Sequence, residues 1–312
     1  MRNVLIILFI TCAWSTTAIG QDKVFSFVAI GDMPYFLPDD YARFENVIKS
    51  VNQQDSKFTV HVGDFKSSST PCTDEAFQKI LGYFSQFTKP LIYTPGDNEW
   101  TDCNKKEAGS YVPEERLEAL RKMFFKDSNS LGLEKLPLTS QARMPGFAKF
   151  VENNRWVYQN IDFATVHLVG TNNNLVPENK ASVNEYFERD LANEAWLHEV
   201  FSQATASGAA ALVLFTQADM FNADKGNAGF TRVLRTLRQL TLEFGKPVLL
   251  INGDSHKFLV DKPFLLGQTK KVMPNFTRIQ VFGEQDMHGV KVTVLPGAPV
   301  RFQIEQLFVN GN

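Results

Sequence analysis

Four apolar runs in this chain each stop at a Gly-Asp pair. Residues 24–30 lead into Gly31-Asp32, and residues 58–62 lead into Gly63-Asp64. Residues 91–94 lead through Pro95 into Gly96-Asp97, and residues 248–252 lead into Gly253-Asp254. Short runs rich in Val, Ile, Phe and Tyr that break at Gly read as strands. Ligands of open α/β sheets gather outside the carboxyl ends of the strands. Four strand ends that each deliver a carboxylate therefore point to one shared site. In this reading Gly lets the backbone turn sharply and bring the Asp inward. A single Gly-Asp is a common turn; the argument rests on the fourfold recurrence. Carboxylates a few ångströms apart in a partly buried site need divalent cations, a Lys or protons between them.

The first 125 residues alternate strand and helix three times. Helical spacing is present over 39–52 (Tyr41, Phe44, Val47, Ile48, Val51), with Asp39 or Asp40 as N-cap, and over 74–87. A third helix, 113–125, begins with Pro113 in its first turn. Such alternation implies parallel strands joined by right-handed crossovers. Residues 127–150 read as linker-like. Residues 155–158 and 163–169 read as a hairpin turning at 159–162, and 171–174 as a polar loop. Helices over 186–206 and 231–244 alternate with strands at 210–215 and 248–251. Strands at 276–282, 290–295 and 300–304 close the chain. The pattern predicts mixed sheets flanked by helices and a single domain over 21–312.

Residues 1–20 have the anatomy of a signal peptide: Arg2, a short apolar stretch over 4–13, and small residues over 16–20. That stretch is shorter than the roughly 20 residues a membrane helix needs, and no later segment is long and apolar enough to span. The chain is expected to be secreted or periplasmic. Of its three Cys, Cys72 and Cys103 follow the signal and read as one disulfide of an exported protein. A net charge of -2 without a basic block argues against a nucleic-acid surface.

The ordered blocks resemble the calcineurin-like metallophosphoesterase superfamily, in the manner of an exported subgroup with several His ligands replaced. The resemblance implies an α/β sandwich of two mixed sheets flanked by helices. It also implies a two-metal centre whose metal-bound hydroxide attacks a phosphoester. The family blocks run Asp-x-His, Gly-Asp, Gly-Asn-His-Asp/Glu, a His after a strand, then Gly-His-x-His. Here Asp32 fits the first Asp, while Pro34 stands at a His position. Asp64 fits the bridging carboxylate. Asp97 stands at the ligand Asn, Asn98 at the His that acts on the leaving group, and Glu99 at its acidic partner. Gln217, or Thr216, falls at the fourth-block His; Asp254 replaces the first His of the last block and His256 keeps the second.

The resemblance thus implies one or two divalent ions. One set is Asp32, Asp64 and His256; the other is Asp64, Asp97, Gln217 and Asp254, all oxygen. Oxygen donors favour Mg²⁺, Mn²⁺ or Ca²⁺ over Zn²⁺ or iron. Lys66, two residues after Asp64, is a candidate to neutralise the cluster or contact phosphate. Asn98 cannot act as a general acid, because an amide does not titrate near neutrality. The implied partner is a phosphorylated small molecule or phosphoester. A non-catalytic binding module of the same fold is the rival reading. A Gly-Asp-Ser esterase fits poorly, because its motif would fall late and Asp286-Met287-His288 has the wrong spacing. His61 and His167 read as core, His198 as surface and His288 as loop.

Overall fold

The computed structural model describes residues 23–222, 227–267 and 270–312. The expected signal segment 1–20 lies outside the described residues. Among the described residues twelve strands form two sheets. The first sheet contains β1 (Phe25–Ile30), β2 (Thr59–His61), β3 (Leu91–Tyr93), β11 (Gly289–Leu295) and β12 (Arg301–Leu307). Its order is β12-β11-β1-β2-β3. Strands β1, β2 and β3 are parallel, as the strand-helix alternation requires, with Ile30 beside His61 and His61 beside Tyr93. Strands β11 and β12 join antiparallel.

The second sheet runs β4 (Thr139–Ser140), β5 (Asn154–Tyr158), β6 (Ile161–Thr165), β7 (Ala211–Phe215), β8 (Val248–Asn252), β10 (Phe276–Gln280), β9 (Leu259–Asp261). Strands β6, β7, β8 and β10 are parallel; β4, β5 and β9 pair antiparallel at the edges.

Alternation along each strand explains the layers. Phe25, Phe27 and Ala29 of β1 face β7 and β8 residues Val213, Phe215, Leu249 and Ile251 in the core between the sheets. Val28 and Ile30 point the other way. There they meet α1 (Asp40–Asn52), α2 (Asp74–Phe84) and α3 (Pro113–Phe124) through residues such as Phe44, Phe77 and Leu117. Leu212 and Leu214 of β7 likewise pack against α5 (Lys180–Ala206) and α6 (Thr231–Phe244). Strands covered on both faces read as unbroken apolar runs. Between the sheets Phe58 stacks on Phe27, and Trp156 stacks on Phe163 and Phe215.

Local structure departs from the sequence reading at several points; among them α5 begins at Lys180 rather than at Tyr186, and β9 was not expected. The β5–β6 turn is shorter than expected, because Asp162 belongs to β6, where Arg155 of the facing strand neutralises it at 2.9 Å. Of the two N-cap candidates Asp39 holds the position, without a side-chain cap hydrogen bond, and Asp40 begins α1, its Oδ2 accepting from Tyr35 N (3.0 Å) and Phe36 N (2.7 Å). Residues 127–150 contain β4 rather than only a linker. Cys72 and Cys103 form the expected disulfide, with Cα atoms 5.7 Å apart.

Candidate metal centre

The two sheets bring their strand ends to one rim. Asp32 follows β1, Asp64 follows β2, Asp97 follows β3, and Asp254 follows β8. Gly170 begins a one-turn element (α4, Gly170–Asn173) a few residues beyond β6, and Gln217 follows β7. The rim lines a cleft of about 670 Å³ whose walls include Tyr35, Phe36, Ser67–Thr70, Asp64, Asp97, Asn98, Asp254, His256 and Glu284.

The backbone turns at the Asp residues more than at the glycines. Asp32, Asp64 and Asp254 hold φ of 53°, 56° and 73°, and His256 holds 57°. Of the four preceding glycines only Gly63 is left-handed, at 99°. The others supply room. A Cβ on Gly96 would stand 2.1 Å from Asp64 Oδ1, and one on Gly253 would stand 2.1 Å from Asp32 Oδ2. Each of these glycines therefore makes space for the carboxylate of another strand end. Left-handed backbone is tolerated by Asp at a modest energetic cost and clusters at functional sites.

Asp32, Asp64 and His256 each present a ligand atom within 4.8 Å of the others. Asp32 is fully buried; its Oδ1 accepts from Asp254 N at 2.9 Å, and its Oδ2 has no partner. His256 Nδ1 lies 3.0 Å from Glu284 Oε2, which leaves Nε2 facing Asp32 Oδ1 at 3.5 Å. A carboxylate that holds one ring nitrogen so that the other can ligate is the usual support of a metal-bound His. Burial, then the charges of Asp97, Glu99 and Asp32, raise the Asp64 carboxyl well above its ordinary value. Burial raises Asp32 likewise, against the Asp254 amide. An orphaned buried oxygen and mutually repelling carboxylates fit a cation at these three residues.

The remaining candidates are arranged differently. Gln217 is fully buried and its Oε1 accepts from Gly170 N at 2.6 Å. Its Nε2 donates to Asp64 Oδ2 (3.1 Å) and Asp97 Oδ1 (2.9 Å). Thr171 Oγ1 donates to the other Asp97 oxygen at 2.9 Å. The Gln217 oxygen, expected as a metal ligand, is thus turned from the cluster. Asp254 Oδ2 accepts from Asp219 N at 3.1 Å.

Glu99 lies beneath the cleft rather than in it. It accepts from Asp64 N, from Gly96 N (2.8 Å) and from Tyr93 Oη (2.7 Å). Lys66 is buried and donates to Ser67 O at 2.9 Å; burial lowers its ammonium to about 8, opposed by Glu99 and Asp64. Asn98 reaches the cleft, donating from Nδ2 to Tyr35 Oη (2.7 Å) and from its backbone to Asp64 Oδ1 (3.1 Å). Tyr35 Oη in turn donates to Asp64 Oδ2 at 3.0 Å.

Three participants carried no clear signal. Glu284 and Asp219 are single polar residues in loops and Thr171 lies in the one-turn α4, each distant in sequence from the site residue it touches. Trp100 is core, packed on His167 and under the Arg189 guanidinium. His61 is core as expected: its Nδ1 accepts from Gly63 N and its Nε2 faces Met33 O, and burial lowers it to about 4. Ser255 of the Gly-Asp-Ser stretch donates to Asp219, and no His activates it.

A family model described as calcineurin-like phosphoesterase matches residues 25–258. The chain belongs to the calcineurin-like phosphoesterase family. Solved structures share its fold at low identity. PhoD has a TM-score of 0.59 and 11% identity, over 93% of this chain and 71% of that one. A dimetal phosphatase from Danio rerio has a TM-score of 0.54 and 11% identity, over 93% of this chain and 100% of that one. GAP50, described as the anchor in the inner membrane complex of Plasmodium, has a TM-score of 0.53 and 11% identity, over 93% and 90%. No curated protein matches. The calcineurin-like fold and family are therefore as the blocks implied, with two mixed sheets and flanking helices. No helix among the described residues is long and apolar enough to cross a membrane.

Proposed function

We propose that this chain is an exported, single-domain, metal-dependent hydrolase of phosphomono- or diesters. The reading is carried by the convergence of Asp32, Asp64 and His256, with Asp32 Oδ2 buried and unpartnered, at the strand ends of a phosphoesterase-family fold. A divalent ion there supplies Lewis-acid polarisation of the phosphoryl group and activation of the attacking water. Two carboxylates and one imidazole suit Mn²⁺; the preference for Mg²⁺, Mn²⁺ or Ca²⁺ over Zn²⁺ or iron belongs to the all-oxygen set of Asp64, Asp97, Gln217 and Asp254.

The protein's own groups do the rest. The cleft walls include Asp64, Asp97, Asp102, Asp254 and Glu284 and, among the described residues, no Lys or Arg. That lining repels an anionic ester until a cation is bound. Burial and the Asp64 charge raise the Tyr35 phenol well above its ordinary value, so it remains a donor. It fixes Asp64 and orients the Asn98 amide, whose one remaining side-chain N–H can donate to a phosphoryl oxygen. Asn98 cannot give a proton to the departing alcohol, and absence of acid catalysis typically costs about 10²–10⁴-fold. Esters with acidic leaving groups such as phenols are therefore the preferred substrates. Phe36 and Leu37 give the organic portion an apolar wall.

The test compares aryl phosphate mono- and diesters with Mg²⁺, Mn²⁺ or Ca²⁺ added, for wild type and Asp64→Ala. Metal-stimulated turnover lost in the variant is expected; equal inertness of the two proteins with every ion rejects the hydrolase. The Asn98 amide also favours a second reading, a non-catalytic binding module of this fold. That module would hold phosphoesters with metal present and leave them intact.

A further inference from the structure

The Gln217 amide lies between the carboxylates of Asp64 and Asp97. Paired catalytic ions sit about 3.5–4 Å apart and share a carboxylate. By the order of the family blocks the shared carboxylate would be Asp64, and a second ion would fall among Asp64, Asp97, Gln217 and Asp254. The two oxygens that would face an ion there, Asp64 Oδ2 and Asp97 Oδ1, each accept instead from Gln217 Nε2, at 3.1 and 2.9 Å.

The orientation of this amide follows from its surroundings. Gly170 N–H can only donate, and it meets Gln217 Oε1 at 2.6 Å. The NH₂ end must therefore face the carboxylates, and its two hydrogens serve two acceptors. The residue cannot easily swing aside. It is fully buried, its Cβ would lie 3.0 Å from a Cβ on Gly63, and its backbone oxygen accepts from Gly253 N at 3.0 Å. The other Asp97 oxygen is held by Thr171 at 2.9 Å. Gly170 itself leaves no slack, because a Cβ there would meet Asp97 Oδ2 at 2.9 Å and Asp254 Oδ1 at 3.0 Å.

We propose that the centre is mononuclear: one divalent ion at Asp32, Asp64 and His256, with the Gln217 carboxamide standing in for the second ion. The first position shows the contrasting chemistry, since Asp32 Oδ2 has no donor and the His256 ring is oriented by Glu284. The inference rests on the metal-dependent reading above and narrows it. In such a centre one ion, Tyr35 and Asn98 orient the ester, and Gln217 cross-links the β2 and β3 ends by hydrogen bonds.

The experiment counts Mn²⁺ bound to the purified full chain by equilibrium dialysis and records its electron paramagnetic resonance spectrum. Wild type is expected to take one ion per chain, with the hyperfine pattern of an isolated ion. Gln217→Glu keeps the size and the acceptor for Gly170 N, removes both donors and adds a carboxylate. It is expected to take a second ion and to show exchange coupling. Two coupled ions in wild type overturn the mononuclear centre and leave the metal-dependent hydrolase standing. No bound ion in wild type overturns both. The wild-type count decides the matter even where the variant fails to fold.

Discussion

Both carboxylate oxygens of Glu99 lie 3.1 Å from the backbone nitrogen of Asp64. Asp64 is in the left-handed region there, at φ 56°, so its turn is held by a side chain from the β3 end. The same carboxylate also accepts from Gly96 N at 2.8 Å. Glu99 thus holds the Asp64 turn from beneath the cleft, whose walls it does not line. Glu99→Gln replaces an acceptor oxygen with an NH₂ facing backbone donors. It is expected to weaken Mn²⁺ binding by about 10–100-fold, as loss of supporting partners does. Calorimetric titration checks this, and unchanged affinity in a folded variant contradicts the role.

Glu284 fixes the tautomer of His256 through Nδ1 at 3.0 Å. Glu284→Ala is expected to weaken Mn²⁺ binding by about 10–100-fold. Glu284→Gln retains an acceptor for Nδ1–H and should recover most of the loss. A merely structural role would not separate the two variants in metal affinity at matched stability.

The four Gly-Asp endings disclosed the sheet frame and the rim, because strands buried on both faces must read as apolar runs with abrupt stops. Their local reason was less legible. Gly96 and Gly253 are required by carboxylates from other strands, Asp64 and Asp32, and no local pattern encodes such cross-strand packing. Gln217 was found by block order, but which end of its amide faces the cluster depends on Gly170 N, 47 residues away in the chain. Glu284 was invisible because loop acids are common, and only folding sets one against His256. The 171–174 stretch read as a plain loop; its left-handed turn brings Thr171 to Asp97.

The packing account of the glycines predicts opposite signs at different positions. Gly96→Ala and Gly253→Ala force a methyl to 2.1 Å from Asp64 Oδ1 and Asp32 Oδ2. Overpacking of this kind typically costs about 1–3 kcal/mol, and metal binding should fall with it. Gly82 lies in α2 with nothing within 4 Å of its Cβ position. Gly82→Ala should stabilise by about 0.5–1 kcal/mol with metal affinity unchanged. Urea unfolding with parallel metal titration reads both effects.

A buried network away from the cleft sets an acid limit. Burial would raise the Glu152 carboxyl, but Arg121 (2.7 and 3.0 Å) and His167 (2.9 Å) outweigh it and hold it well below its ordinary value. Burial lowers His167 below the ordinary imidazole value. Both folded values lie below the unfolded ones, so both groups stabilise the fold near neutrality. The His167 contribution is lost as pH falls below about 6.5, and that of Glu152 as pH falls below about 4.5. Glu152→Gln takes from Arg121 its buried carboxylate and leaves the exposed Glu118 (2.9 Å), so it should lose up to about 3 kcal/mol at neutral pH, and its stability should fall less steeply in acid. Urea midpoints across acid and neutral pH compare the slopes, and parallel curves for the two proteins contradict the assignment.

One cation at Asp32, Asp64 and His256 is proposed to make this fold a phosphoesterase. The most direct measurement titrates Mn²⁺ into chelator-stripped protein while following both bound metal and hydrolysis of an aryl phosphodiester. The account predicts that turnover rises in proportion to occupancy and saturates at one ion per chain, and that Asp64→Ala neither binds nor turns over. Full occupancy without turnover would contradict it and leave a metal-binding module.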